Sequence, residues 1–307
     1  MKGTQYDMVT VLGPTASGKT EVAVNLAYQL GGEVISADSR QIYREMDLGT
    51  GKDLVEYRVN GFDVPYHLID IAEAGYQYNV FEYQRDFLKA FLSVKKRESF
   101  PVMCGGSGLY LEAILKGYRL VQVPFNEHRR KELQILTLNE LTDILKSYKS
   151  INNTSDTENP KRAVRAIEIE EFCRSHPETD LSFPNINSLI VGVKYDRESR
   201  RHRITARLKQ RLENGMVEEV GKLLDKGLKP EDLTYYGLEY KYITNYLTGL
   251  STYNEMLDGL NIAIHQFAKR QMTWFRKMER EGFNIRWLDG YMPLNEKTDK
   301  IISWLFP

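Results

Sequence analysis

The chain has 307 residues, enough for one large α/β domain or two smaller ones. Its 42 basic residues balance 42 acidic ones, so whole-chain charge gives no argument for a nucleic-acid partner and any basic patch must be local. With 42% hydrophobic and 27% charged residues, no apolar run near the ~18 residues of a membrane span and no basic-plus-apolar N-terminal signal, the composition points to a soluble globular protein and away from secretion and membrane spanning.

Met8 to Leu12 reads as a short buried strand and Glu21 to Leu30 as a helix. Between them, Gly13-Pro14-Thr15-Ala16-Ser17-Gly18-Lys19-Thr20 fits G-x-x-x-x-G-K-[ST] in the strand–loop–helix setting that this phosphate loop requires. The glycines let the backbone curl so that its N–H groups point at phosphate oxygens, and the helix start favours an anion. Lys19 adds a point charge for the terminal phosphates, and Thr20 can place its hydroxyl on Mg²⁺. The loop specifies a di- or triphosphate. It does not say whether a phosphate is transferred, hydrolysed or displaced.

Gly32 to Ser36 is a second strand ending at Ala37-Asp38-Ser39, and Tyr66 to Ile71 a third candidate. Asn79 to Glu98 reads as a helix, with apolar Val80, Phe81, Phe87, Leu88 and Phe91. Pro101 to Cys104 is a fourth strand, running into Gly105-Gly106-Ser107-Gly108, and a helix begins near Leu109. Alternating strands and helices predict a mostly parallel sheet flanked by helices, an α/β fold of P-loop NTPase-like type. Residues 119–187 are helical and polar, with an Asn/Ser/Thr-rich break at 151–156, and read as a small all-helical insertion. Ser188 to Val193 rejoins the sheet, and residues 200–224 and 254–281 are long helices. The expected organisation is therefore 1–118 for the first part of the core, 119–187 for the insertion and 188–307 for the rest of the core with its C-terminal helices. Cys104 and Cys173 lie far apart, as suits a reduced, cytoplasmic protein, and five scattered histidines argue against structural zinc.

Four features carry chemistry. Asp38, at a strand end beside Ser39, Arg40 and Gln41, can bind Mg²⁺ through water or accept a proton from a nucleophile; capping the next helix is its bland alternative. Gln41 and Tyr43 could read or stack on a base. The Gly105–Gly108 turn lets a ligand approach closely, with Ser107 as donor to an oxyanion, or is merely a tight turn. Arg200, Arg203, Arg207 and Arg211 form a helical stripe nearly unbroken by acids, which is either a solvated face or a phosphate contact. On helix 262–281, Ile264, Phe267, Trp274, Phe275 and Met278 share one side. Lys269, Arg270, Arg276, Lys277 and Arg280 cluster on the other with Thr273, as a polyanion-binding face would.

Taken together these segments resemble the tRNA dimethylallyltransferases. The resemblance spans Gly13–Thr20, Ile35–Tyr43, Met46–Lys52, His67–Ile71, Gly105–Tyr110, Lys161–Glu168, Arg203-Ile204 and Ala268–Arg276. It implies transfer of a dimethylallyl group from its diphosphate to the exocyclic amine of the adenosine 3′ to the anticodon in tRNA. Gly13, Thr15, Ala16, Ser17, Gly18, Lys19 and Thr20 would then hold the diphosphate leaving group, with Thr20 on Mg²⁺. Asp38 would take the proton from the amine, Ser107 would bond near the reacting phosphate–carbon bond, and Arg203 would neutralise the departing diphosphate. The anticodon stem-loop would meet Asp38, Ser39, Arg40, Gln41, the run Lys161, Arg162, Ala163, Val164, Arg165, and Lys269, Arg270, Thr273 and Arg276. A monomer is expected.

The chain departs from the family where Gly-Thr-Ala-Lys-Pro is usual, having Gly49-Thr50-Gly51-Lys52-Asp53, and where Ile-Gly-Tyr is usual, having Tyr235-Tyr236-Gly237-Leu238-Glu239-Tyr240. The insertion is short and keeps only Glu158-Asn159-Pro160 of a longer His-Pro-Asn-Asp run. Three other readings remain open: an adenylate isopentenyltransferase acting on free AMP or ATP, a small-molecule P-loop kinase, and an RNA-binding module with a vestigial nucleotide fold.

Overall fold

The computed structural model describes residues 3–151, 156–177 and 182–307. In chain order the elements are β1 (Met8–Leu12), α1 (Lys19–Gln29), β2 (Gly32–Ser36), β3 (Arg58–Val59), β4 (Phe62–Asp63), β5 (Tyr66–His67), α2 (Val80–Lys96), β6 (Phe100–Gly105) and α3 (Gly108–Leu115). They continue with α4 (Glu127–Gln134), α5 (Leu138–Tyr148), α6 (Pro160–Ser175), β7 (Ser188–Lys194), α7 (Arg197–Glu213), α8 (Met216–Asp225) and α9 (Pro230–Leu233). The last are α10 (Leu238–Leu247), α11 (Tyr253–Arg280), β8 (Arg286–Asp289) and α12 (Leu294–Leu305). The chain divides into two compact units, Met1–Gly117 with Asn185–Pro307, and Tyr118–Pro184.

The larger unit is built on a six-stranded sheet of order β5-β2-β6-β1-β7-β8. Every pairing in it is parallel. Helices cover both faces, so its central strands are apolar almost throughout and buried along their length. Val9, Val11, Val102 and Val191 pack with Val22, Leu26, Leu288, Ile301 and Leu305 in one core. This is the P-loop NTPase-like arrangement the sequence implies. Among the described residues no helix is long and apolar enough to cross a membrane.

Two expected elements are corrected. The third strand stops at His67, because Leu68 and Asp70 take positive φ values of 62° and 56° and turn the chain away. The helix expected over 200–224 is two helices, α7 and α8, broken at Asn214-Gly215, where Gly215 has φ 96°. The sheet also continues to β8, a short half-buried strand.

The smaller unit packs α4, α5 and α6 around Leu133, Leu141, Leu145, Ala163, Val164 and Ile167. Asn159 caps α6 through the Arg162 N–H at 3.1 Å, with Pro160 in its first turn. Arg129–Glu171 (2.5 Å) and Arg130–Glu168 (2.7 Å) tie α4 to α6. Residues 152–155 of the polar break lie outside the described residues. The unit ends at Pro184 rather than 187. Asn187 already belongs to the sheet unit, its carbonyl accepting from the Asp7 N–H at 2.8 Å and its own N–H donating to the Asp7 carboxylate at 3.0 Å.

Candidate active site

Strands β2, β6 and β1 are neighbours, and each ends in one of the motifs. Asp38 follows β2, Ser107 follows β6 and the phosphate loop follows β1, so three segments far apart in sequence meet at the carboxyl edge of the sheet, where α/β proteins bind ligands. They line a cavity of ≈ 1030 Å³ together with residues of α7, α10 and α11.

At one end of the cavity stands the phosphate loop. Gly18 enters α1 at φ 75°, which aims the first N–H groups of the helix into the loop. The Ser17 hydroxyl is buried with no hydrogen-bond partner. Burial pulls the Lys19 ammonium below its ordinary value, against the opposing pull of Cys104 and Asp38. Arg203 donates from Nε to the Ala16 carbonyl at 3.0 Å and stacks over Tyr195. Arg207 donates to the Thr15 hydroxyl, and burial, aided by the nearby Arg211 charge, lowers its guanidinium to about 10. Arg211, one turn on, pairs with Asp53 at 2.7 Å. Among the described residues no ion pair involves Lys19, Arg203 or Arg207. Cations without an ion pair, Lys19 and Arg207 partly withdrawn from water and Arg203 exposed, form a ready anion site. Cys104 lies against this end, but burial pushes its thiol up to about 12, so it supplies no thiolate.

Asp38 does not cap a helix. Its Oδ1 accepts from the Arg40 N–H at 3.0 Å in a local turn, and the side chain stays partly exposed on the cavity wall. Ser107 sits at the start of α3 without capping it. Instead its hydroxyl accepts from the Ser39 N–H at 3.0 Å and lies 3.2 Å from the Ser39 hydroxyl. Gln41 is buried and both ends of its amide are used, accepting from Ser36 Oγ and donating to the Gly51 carbonyl, each at 3.0 Å. It shapes the loop rather than offering its amide to a base. Tyr43 is 1% exposed and packs edge-on against Tyr236, so it is core and not a stacking platform. Arg40 lies across the Tyr235 ring and donates to the Tyr235 carbonyl at 2.5 Å.

The loop after Tyr43 is held from a distance. Lys52, with its side chain fully buried, donates to the Tyr43 carbonyl (2.7 Å), to Asp47 (2.6 Å) and to Asp70. Glu219 on α8 accepts from the N–H groups of Asp47, Leu48 and Gly49 at 2.9, 2.7 and 3.0 Å, and Tyr240 donates to the same carboxylate at 2.7 Å. The departures from the family have a local reason. Gly51, at φ 68°, leaves no room for a Cβ against the Arg211 guanidinium. Asp53, at φ 43°, stands where a proline ring would forbid that angle.

Of the residues expected to meet RNA, Lys161 and Arg162 are exposed and Arg165 half-buried on α6, whereas Ala163 and Val164 are buried in the smaller unit's core. Helical geometry turns those two side chains inward. On α11, Lys269, Arg270, Thr273 and Arg276 are exposed, and Arg270 also lines the cavity. Lys277 does not belong with them as a free cation, since it pairs with the buried Glu112 at 3.2 Å. The sequence reading set Arg207 in an arginine stripe that was either a solvated face or a phosphate contact, and the structure brings it to the phosphate loop. It missed the roles of Gln271, Glu219 and Lys52, whose partners no local pattern announces.

Residues 41–278 match the IPP transferase family. The chain is 61% identical over 294 residues to tRNA dimethylallyltransferase 2 of Bacteroides fragilis, covering 96% of each protein. It is 58% identical over 301 residues to tRNA dimethylallyltransferase 2 of Phocaeicola vulgatus, covering 98% of each. Among solved structures it is similar to the full-length tRNA isopentenylpyrophosphate transferase of Bacillus halodurans, with a TM-score of 0.71, 31% identity and coverage of 98% of this chain and 95% of that one. A eukaryotic dimethylallyltransferase acting on tRNA superposes with a TM-score of 0.76 at 19% identity over 93% of this chain and 74% of that one, a likeness of fold. By its sequence and its fold, this chain belongs to the IPP transferase family.

Proposed function

We propose that this chain transfers a dimethylallyl group from dimethylallyl diphosphate to the exocyclic amine of the adenosine 3′ to the anticodon in tRNA, acting as a monomer in the cytoplasm. One observation carries the reading: the phosphate loop, Asp38 and Ser107 converge from adjacent strand ends on a single cavity. The names of its relatives, tRNA dimethylallyltransferases, support it.

The amine is a poor nucleophile, because its lone pair is delocalised into the ring. As its nitrogen bonds to the allylic carbon, the carbon–oxygen bond to the diphosphate breaks and its electrons leave with the diphosphate. Asp38 accepts the amine proton, an aid of roughly 10²–10⁴-fold. The loop N–H groups, Lys19, Arg203 and Arg207 hold the negative charge that develops on the leaving group, and Ser107 bonds near the breaking bond. The adenosine leaves its stack to reach Asp38. The exposed Lys161 and Arg162 and the half-buried Arg165 of one unit, and the exposed Lys269, Arg270 and Arg276 of the other, take RNA phosphates.

Mg²⁺ fits the donor set in one form. Among the described residues no group of three or more His, Cys, Asp or Glu side chains could hold a metal ion. Thr20 would therefore contribute its hydroxyl to an ion held mainly by diphosphate oxygens and water. Such an ion would neutralise charge on the leaving group.

A kinase or an enzyme acting on free adenylate would leave the exposed basic face of α11 without a role. The test is capture of radiolabel from dimethylallyl diphosphate on an unmodified anticodon stem-loop with Mg²⁺. Label that disappears when the target adenosine is changed supports the reading. Label on AMP but not RNA moves the acceptor to free nucleotide, and label on neither from a folded sample overturns prenyl transfer.

A further inference from the structure

A primary amide withdrawn from water needs partners at both ends. Gln271, midway along α11 and 7% exposed, has them. Its Oε1 accepts from the Thr15 N–H of the phosphate loop at 2.8 Å, and its Nε2 donates to the Gly106 carbonyl at 2.9 Å. The orientation of the amide is not ambiguous, because a backbone N–H can only donate and a carbonyl can only accept. The fit is close: a Cβ on Gly106 would lie 2.5 Å from Gln271 Nε2.

The residue after Gly106 carries the contact onward. The Ser107 N–H donates to the Ala37 carbonyl at 3.3 Å, and the Ser107 hydroxyl accepts from the Ser39 N–H at 3.0 Å. Asp38 is thus gripped on both sides by Ser107, which Gln271 ties to Thr15. Strand pairing between β1, β6 and β2 fixes where the three segments start, and its registers end at Leu12, Gly105 and Ser36. Beyond those residues the loops leave the ladder, and Gln271 spans the gap between the two that hold the leaving group and the Ser107 turn.

From this geometry we propose that Gln271 is a positioning residue, setting the distance between the diphosphate cradle and the proton acceptor Asp38. The inference rests on the prenyl-transfer reading above and deepens it. Gln271 spends both ends of its amide on backbone, so it acts through Thr15 and Ser107 and touches neither phosphate nor amine. A displacement of ~1 Å between reacting groups costs on the order of 10²-fold in rate.

The experiment compares single-turnover transfer to the stem-loop with inorganic diphosphate affinity for Gln271→Met and Gln271→Glu. The methionine keeps length and loses both bonds. The glutamate keeps an acceptor for Thr15 and loses the donor to Gly106. We expect transfer slowed on the order of 10²-fold in Gln271→Met and less in Gln271→Glu, with diphosphate affinity retained in both. We also expect Gln271→Met combined with Gly106→Ala, whose Cβ would press on the same amide, to be no slower than the worse single variant, since both act on one contact. Full transfer in a folded variant, losses that multiply in the double variant, or a loss confined to diphosphate affinity each overturn the proposal. If Gln271→Met does not fold, Gln271→Glu decides by the same criteria. Wild-type protein that fails to label RNA removes the prenyl-transfer reading itself, whereas active wild type with equally active variants removes only Gln271.

Discussion

The two edges of the parallel sheet are built on opposite principles. At the amino edge, Glu33 near the start of β2 is well satisfied: it accepts from Arg97 at 2.9 and 2.6 Å and lies 2.6 Å from His67 Nε2. At the carboxyl edge, beyond the strand ends, Lys19, Arg203 and Arg207 form no ion pair among the described residues and the buried Ser17 hydroxyl has no hydrogen-bond partner. Polar groups left short of partners in a folded protein mark a place where a ligand can complete the structure, and fully paired groups mark ordinary construction. The comparison predicts that substitutions at the carboxyl edge change chemistry and ligand affinity with little effect on folding, and that those at the amino edge do the reverse.

Asp38→Ala gives the largest effect expected. Single-turnover transfer should fall by ~10²–10⁴-fold while inorganic diphosphate still binds, because the lost group accepts a proton and holds no phosphate. An unchanged rate would remove Asp38 from the mechanism. Arg207→Gln comes next and divides the carboxyl edge in two. Glutamine can still donate to Thr15, so the loop keeps its shape, but a charge-assisted bond worth about 1.5–3 kcal/mol is gone and diphosphate affinity should fall by roughly 10- to 100-fold. Isothermal titration with diphosphate checks this, and a variant that binds as wild type would show that Arg207 braces the loop without serving the anion.

These two residues also show how far the site was legible before the structure. The phosphate loop announces itself because its requirements are local: two glycines, a lysine and a hydroxyl within eight residues between a strand and a helix. Asp38 and Ser107 were legible because strand ends are legible, and the parallel order of the sheet then brings them together. Gln271 was not, since it meets Thr15 across 256 residues of sequence and Gly106 across 165. Lys277 misled for the same reason. It sits in a basic run, yet its partner Glu112 lies on α3, hidden at 0% exposure. The division of α7 from α8 turns on a single left-handed glycine, Gly215, inside an otherwise helical pattern.

Lys52 tests the bracing of the loop behind the carboxyl edge. Its ammonium gathers Tyr43, Asp47 and Asp70 and so holds the loop behind Gln41. Lys52→Met should cost about 2–3 kcal/mol, less than the ~3–5 kcal/mol of a fully buried broken pair, because the exposed Asp47 and partly exposed Asp70 can be rehydrated. Thermal unfolding should show a midpoint lower by about 5 °C. An unchanged midpoint would mean that Glu219, gripping Asp47 to Gly49 from α8, holds the loop unaided.

The smallest effect belongs to the amino edge and is read through pH. Hydrogen bonds from Arg97, outweighing the opposing cost of burial, bring the Glu33 carboxyl down from 4.5 to about 2. A carboxylate lowered on folding contributes stability that is fully present above its unfolded value near pH 4.5 and is lost as pH falls through about 2. Linkage bounds the contribution near ~3 kcal/mol, and solvent around the half-exposed Arg97 reduces it to about 1–2 kcal/mol. Glu33→Gln should therefore lower the urea midpoint at pH 7, narrow its difference from wild type toward pH 3, and leave diphosphate affinity and transfer rate untouched. Equal pH slopes for the two proteins would show that the Arg97 pair adds nothing to folding. A loss of transfer in Glu33→Gln would break the comparison itself, since it would make a fully paired group at the far end of β2 part of the chemistry at Asp38.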